Sequence, residues 1–285
     1  MDEISEEIII AKDFFNFCKS EFERVLAFLN ADLEKGDLFS RKIGMIRHAE
    51  KMLTSFEVLY KTTDMNCIAS LLTLHRMIVD NYSIFYLLTK HSTEAERDIR
   101  YNLYLQDGVS SRSDILINFK SASEIKIRKD IEIKTKNAIT NDLKASEFLD
   151  FKMLELKENF QVSPKIIDQK NWKFKDPNSS KARNCNSHTW FELYKIARIP
   201  DHQAQAFQKY HSTYTHGLAI SLFKRHENDI KPFIEIALYT SGVMQSIMVE
   251  ILLEEHSINS KDIDLDEDFK LLIKQNYESW KITKS

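Results

Sequence analysis

Glycine and proline are scarce in this chain of 285 residues, which contains 5 glycines and 4 prolines. Average usage would supply roughly 20 glycines and 14 prolines. Tight turns and β-hairpins depend on these residues, because glycine adopts positive φ and proline fixes φ near the value a turn needs. We therefore predict an all-α fold, a single multi-helix bundle of about eight or nine helices with a long middle loop.

Apolar residues recur at helical spacing along most of the chain, and this pattern fails at residues 162–187, where Pro164 and Pro177 fall. We expect one helical domain over residues 1–285, in which residues 162–187 form the long loop and residues 264–285 the C-terminal helix.

The most apolar stretch covers residues 233–253, but it contains Glu235, Gln245 and Glu250. Three such side chains are costly inside a bilayer, so we expect a buried core helix and no membrane span. Residues 66–90 are apolar nearly all round, which predicts a second helix at the centre of the bundle.

The charge balance limits the class of protein. With 40 basic and 43 acidic residues the formal net charge is −3, which excludes a strongly basic protein that coats nucleic acid but permits a local basic patch. Three cysteines without a CxxC pair indicate free thiols in a reducing compartment. The acidic start MDEISEEIII is unlike a signal peptide, so we expect a cytoplasmic protein.

No P-loop, GxGxxG, HExxH or GxSxG motif occurs, and we expect no cofactor. The acidic run at residues 262–268 resembles a calcium loop, but Glu267 stands where an EF-hand needs glycine and Ile273 where it needs glutamate. We expect no metal site, and we interpret the run as the start of a helix.

Arg76 and Asp80 lie four residues apart on an otherwise apolar helix. Because an isolated buried charge is costly, such residues form an ion pair or border a cavity. Two interpretations stay open: an internal ion pair that fixes the register of the helix, or a polar pocket between helices.

The sequence YHSTYTHG places Tyr210 and Tyr214 on one helix face and puts His216 and Gly217 where that helix is expected to end. A histidine at this position can act as a base, contact a phosphate, or interact with the C-terminal dipole. Function and helix capping are both open. No carboxylate or third histidine occurs at ligand spacing, which argues against a metal at His211 and His216.

Three stretches, LLTLHRMIVDNYSIFYLL, RDIRYNLYLQDG and YHSTYTHGLAISLF, resemble in order and spacing the landmarks of an uncharacterised family of bacterial helical proteins. The resemblance covers roughly residues 45–250. Members are similar to proteins of mobile-element and phage-defence settings, and the bundle is similar to the HEPN superfamily, which includes metal-independent ribonucleases. The matching positions are Arg76, Asp80, Arg100, Tyr101, Tyr214 and His216.

HEPN nucleases carry an arginine followed by a histidine after four to six residues, and Arg183 with His188 fits that spacing. Chance supplies about one such pair in a chain of this composition, and Arg41 with His48 is another. Arg183 also lies in or beside the long loop, whereas the nuclease motif belongs on a bundle helix. We therefore favour His216 over His188 as the functional histidine.

Residues 165–183, the basic segment, interleave cations with aromatic rings, including Lys170, Trp172, Lys173 and Lys175. Cations attract phosphate and aromatic rings stack on bases, so this segment is a candidate for RNA contact. The alternative is a solvated loop whose aromatic residues pin it to the bundle.

The resemblance implies a bacterial effector or accessory protein of a defence or toxin type, HEPN-like, that cleaves RNA without a metal. The expected catalytic residues are His216, Arg76, Asp80 and Arg100, with Arg183 and His188 as the alternative, and Tyr101, Tyr210 and Tyr214 are the expected ligand-binding residues. The rival hypotheses are a non-enzymatic interaction module and a sensor of a small anionic ligand. The expected partners are RNA or such a ligand, together with a second copy or a partner protein, and no membrane.

Overall fold

The computed structural model describes residues 6–33, 40–65, 67–121, 129–159, 162–177, 186–215 and 230–279. Helices take up 83% of this part of the chain, which contains no strand, so the all-α prediction is confirmed. The α-helices are α1 Glu6–Leu33, α2 Arg41–Thr62, α3 Ile68–Thr89, α4 Glu94–Ser121, α5 Lys129–Asn159, α6 Pro164–Asp168, α7 Trp190–Ile196, α8 Asp201–Thr215, α9 Lys231–Glu255 and α10 Glu267–Ser279.

The described part of the chain contains ten α-helices where about eight or nine were expected, because short helices are hard to read from periodicity. The five residues of α6 lie inside the predicted long loop and begin at Pro164, whose fixed φ suits the first turn of a helix. Conversely, α4 continues through Gly108, although glycine commonly ends a helix. Residues 264–266, which we expected to open the C-terminal helix, precede its first residue, Glu267.

The described residues form two compact units. Unit 1 comprises the described residues of Met1–His91 and Thr189–Ser285, and unit 2 comprises those of Ser92–His188. The prediction of a single domain over residues 1–285 stays a prediction.

In unit 1, α9 is the central helix and packs against α1, α2, α3 and α10. It is the only described helix long and apolar enough to cross a membrane, and 78% of its most apolar stretch is buried inside the protein. This burial agrees with the core helix expected at residues 233–253. A Cβ added at Gly242 would lie 2.6 Å from Cε1 of Phe14, so α1 and α9 approach closely at this glycine.

In unit 2, α4 and α5 pack side by side through polar contacts. Gln106 Nε2 donates to Asp150 Oδ1 at 2.6 Å, and Arg112 donates through Nε and Nη2 to the two oxygens of the buried Asp142. Later residues of α4 thus meet earlier residues of α5, which makes the two helices antiparallel. The basic segment follows, and Phe174 forms an isolated antiparallel bridge with Ser187.

Candidate functional site

The expected site residues are divided between the two units. Arg76 and Asp80 belong to unit 1, whereas Arg100, Tyr101, His188 and the described basic-segment residues belong to unit 2. Tyr210 and Tyr214 lie on α8, but their side chains are outside the description. Arg183, His216 and Gly217 lie outside the described residues, so the roles expected for them stay predictions.

In unit 1, Arg76 and Asp80 form the expected pair, with Nε and Oδ2 3.6 Å apart, but both side chains are partly exposed, at 27% and 22%. A third residue joins them, because the Tyr194 hydroxyl donates to Asp80 Oδ1 at 2.5 Å. Burial raises the pKa of the Asp80 carboxyl, against the opposing influence of Tyr194 and Arg76. This Arg76–Asp80–Tyr194 cluster ties α3 to α7.

In unit 2, Arg100 is completely buried and is among the largest fully buried side chains described. Its Nη1 donates to the carbonyl oxygens of Trp172 at 3.2 Å and of Phe174 at 2.6 Å, and the guanidinium carbon lies 3.8 Å from the centre of the Phe174 ring. Nε and Nη2 have no hydrogen-bond partner in the described structure. Arg100 therefore holds the basic segment through its backbone and one ring.

No described carboxylate forms an ion pair with Arg100. Burial lowers the pKa of its guanidinium to about 10, and the charge of Glu96 partly opposes this. A group with this pKa stays protonated at neutral pH, so unit 2 keeps a buried positive charge that is compensated mainly by carbonyl dipoles and an aromatic face.

One face of α4 carries Arg100, Tyr104 and Asp107, at positions i, i+4 and i+7. All three contact the basic segment: beside the Arg100 contacts, the Tyr104 ring lies 5.3 Å from Trp172, and Trp172 Nε1 donates to Asp107 Oδ2 at 3.2 Å. Three successive contacts with one short segment fix its position along the helix.

The contacts bury the aromatic rings of the basic segment. Trp172 is 7% exposed and Phe174 is 0% exposed. A base cannot stack on rings in these positions, and the aromatic residues instead pin the loop, as in the alternative interpretation. Tyr101 is buried as well, at 3%, which gives a ligand no access to its ring in this structure.

An open cleft of about 400 Å³ lies beside this anchored segment, within the range of volumes that hold small ligands. Its lining is mostly polar and consists of Asp107, Gln169, Lys170, Asn171, Trp172, Lys173 and Ser187. Three of the four residues that the sequence put forward for nucleic-acid contact are therefore cleft residues. Lys175, the fourth, is exposed and is bonded through its backbone to Asn186, outside the lining.

The cleft side chains are held by local bonds. Lys170, at the positive φ of 48°, donates to the Ser110 hydroxyl at 2.7 Å, and Ser187 donates to Asn171 Oδ1 at 2.9 Å. The Lys173 ammonium lies 5.5 Å from the Trp172 ring. The backbone nitrogen of His188 donates to the Lys173 carbonyl at 2.7 Å, which places His188 next to the bridge that closes the segment.

Sequence reasoning missed Tyr194 and Asp107 as parts of these arrangements. Tyr194 is 114 residues from Asp80, and Asp107 is 65 residues from Trp172, so no local spacing connects them. Within the described ranges, no group of three or more histidine, cysteine, aspartate or glutamate residues is placed to hold a metal ion.

Comparisons with known proteins give no further assignment. No protein-family model matches the chain, and no curated protein and no solved structure matches it significantly.

Proposed function

We propose that unit 2 binds a phosphate-bearing ligand, either RNA or a free nucleotide, in the cleft beside the basic segment. The observation that carries this proposal is the arrangement of charge: Lys170 and Lys173 line the cleft, and the buried Arg100 holds the backbone of the same segment from behind. Phosphate is a ligand that lysine ammonium groups bind as point charges.

The charge of Arg100 supports anion binding at a distance. Seven residues of α4 separate Arg100 from the cleft residue Asp107, which corresponds to about 10 Å along the helix. Over this distance a unit charge contributes roughly 1–2 kcal/mol at the effective dielectric constant of a protein. A buried arginine that pairs with no described carboxylate thus adds attraction for an anion that the two lysines contact directly.

Asp107 opposes a bare anion and favours a ligand with hydrogen-bond donors. Its Oδ2 accepts from Trp172, and a ligand hydroxyl or amino group can donate to the carboxylate. Nucleotides and RNA carry both kinds of group, since their phosphates suit the lysines and their ribose hydroxyls or base amino groups suit Asp107. The side-chain amides of Gln169 and Asn171 also line the cleft.

RNA cleavage by a defence- or toxin-type effector is the wider hypothesis to which this binding belongs. Its favoured histidine, His216, lies outside the described residues, and the cleft supports binding alone. The chemistry therefore stays a proposal, to be tested by incubating the protein with total RNA in EDTA, where metal-independent cleavage should persist.

The binding proposal is tested by fluorescence anisotropy with a labelled single-stranded RNA of about ten nucleotides and by calorimetry with ATP. Lys170→Gln and Lys173→Gln should each weaken binding about fivefold to tenfold, and together more, because each removes a charge near the phosphate. Lys134→Gln, which removes an exposed charge on α5, is the matched control and should bind as the wild type does.

The two probes distinguish the sources of phosphate. Tight binding of RNA but not of ATP identifies a polymer ligand, and the reverse identifies a small molecule. The proposal is wrong if neither probe binds, or if the two cleft variants bind like the control variant.

A further inference from the structure

Helix α5 has two apolar faces, on opposite sides. The inner face carries Leu149 and Met153, at 1% and 3% exposure, beside the ion-paired Asp142, at 1%. The outer face, as we name it here, carries large apolar side chains that are 57–60% exposed: Ile133, Leu143, Phe151 and Leu154.

Helix geometry places these four residues on one stripe. Ile133 and Phe151 are eighteen residues apart, which is five full turns, and Leu143 and Leu154 are eleven residues apart, which is about three turns. The four positions fall within an arc of about 80°. An ordinary surface helix has one apolar stripe, so a second stripe on the far side indicates a second packing partner.

The charged residues of the outer face are sorted along its length. Its first half carries Lys136 and Lys144, whereas its second half carries Glu147, Glu155 and Glu158. The four residues other than Glu155 are exposed, and Glu155 is partly buried and pairs with Lys152 at 3.0 Å. One end of the stripe is therefore basic and the other end acidic.

We propose that the outer face of α5 binds the outer face of α5 in a second copy of this chain, with the two helices antiparallel. A two-fold axis near the middle of the stripe brings the lysine half of each helix opposite the glutamate half of the other, so both ends attract. A parallel pair would place lysines opposite lysines and glutamates opposite glutamates.

The charge pattern indicates that the binding partner of the outer face is a second copy of this chain. An isologous contact requires one patch to be complementary to itself after a two-fold rotation, and this stripe meets that condition in its charges. Its apolar residues supply the burial, since removing large apolar side chains from water favours association.

The first test is the mass of the protein in solution, measured by light scattering or sedimentation up to about 100 µM, a concentration that detects even weak pairs. The wild type should form dimers, and Phe151→Lys with Leu154→Lys should be monomeric. Leu271→Lys, at a 53% exposed position on α10, is the matched control and should dimerise like the wild type. A monomeric wild type at the highest concentration overturns the proposal, as does an undiminished dimer in the double variant.

The second test reverses the charges of each half. A chain with Lys136→Glu and Lys144→Glu should be monomeric, and so should a chain with Glu147→Lys and Glu158→Lys, because each presents like charges to its own copy. An equal mixture of the two should form heterodimers, since the reversed residues of each chain again face residues of opposite charge in the other. Dimers in either single preparation, or none in the mixture, would contradict the proposed pairing. Circular dichroism of each variant confirms that it is folded.

Discussion

Both compact units bury an arginine, but they compensate its charge in different ways. In unit 1, Arg41 is 4% exposed and forms an ion pair with Glu255, which joins the start of α2 to the end of α9. In unit 2, Arg100 is 0% exposed and relies on two backbone carbonyls and the face of Phe174. The ion pair of Arg41 and Glu255 has no net charge. The carbonyl groups that bind Arg100 are neutral, so the net positive charge of Arg100 remains and can attract an anion.

The interiors around these arginines differ as well. The core of unit 1 is built on a largely apolar α9 that meets α1 closely at Gly242. The α4–α5 pair of unit 2 is joined by Gln106–Asp150 and Arg112–Asp142. Unit 1 is therefore held mainly by close apolar packing, whereas the α4–α5 pair of unit 2 is held by polar contacts that each include one buried side chain.

The largest expected difference between the units is in their stability at acidic pH. Unit 1 buries His75 and partly buries His48, and the loss of hydration lowers the pKa of each ring to about 4. Unfolded histidine has a pKa near 6.5, so the unfolded state takes up protons between these values, and stability that is full above pH 6.5 is lost as the pH falls toward 4. The loss should be on the order of 3 kcal/mol per histidine.

Hydrogen exchange followed by mass spectrometry from pH 7 to pH 4.5, corrected for the intrinsic exchange rate, measures this loss separately in α2, α3, α4 and α5. Protection should fall first in α2 and α3. A variant with His48→Gln and His75→Gln is the control and should show a flatter pH dependence. Equal or earlier loss of protection in α4 and α5 would remove the proposed difference.

The second prediction compares the two buried arginines directly. Arg41→Met leaves Glu255 largely buried without its cation, which should cost roughly 3–4 kcal/mol. Arg100→Met breaks hydrogen bonds to two carbonyls but strands no charge, and it should cost about 2 kcal/mol. Urea unfolding of each variant measures the free energy change. A larger cost for Arg100→Met would show that the ion pair is the weaker arrangement.

The smallest expected effects come from two helical glycines. Gly242→Ala should destabilise the protein by about 1–2 kcal/mol, because the new methyl group meets the ring of Phe14. Gly108→Ala meets nothing within 4 Å and should stabilise by roughly 0.5–1 kcal/mol, since alanine favours the helix. Thermal melts compare them, and the same sign for both would contradict the packing difference.

Periodicity predicted the long helices because their apolar positions face one core. The continuous apolar surface of residues 66–90 corresponds to α3, and that of residues 233–253 lies within α9. Gly108 does not end α4, because one glycine costs an exposed helix only about 1 kcal/mol and Arg112, which follows it, is held by Asp142.

The candidate site was predictable in its composition and not in its geometry. The sequence shows two cations and an aromatic ring close together, at Lys170, Trp172 and Lys173. This composition is the same whether the ring is exposed for stacking on a base or buried to hold the loop in place. The difference depends on Arg100, which is 74 residues from Phe174, and on Asp107, and contacts at that separation leave no periodic signal. The role of Tyr194 was not predicted either, because its partner Asp80 is 114 residues away in the sequence.

The proposed function requires that unit 2 binds a phosphate-bearing anion beside the backbone that Arg100 holds. Hydrogen exchange with and without saturating RNA or ATP tests it most directly, because it reports where a ligand binds without any substitution. We expect the added protection to be concentrated in residues 169–173 and at Ser187, with the helices of unit 1 unchanged. Protection confined to unit 1, or none at residues 169–173 while the ligand is bound, would contradict it.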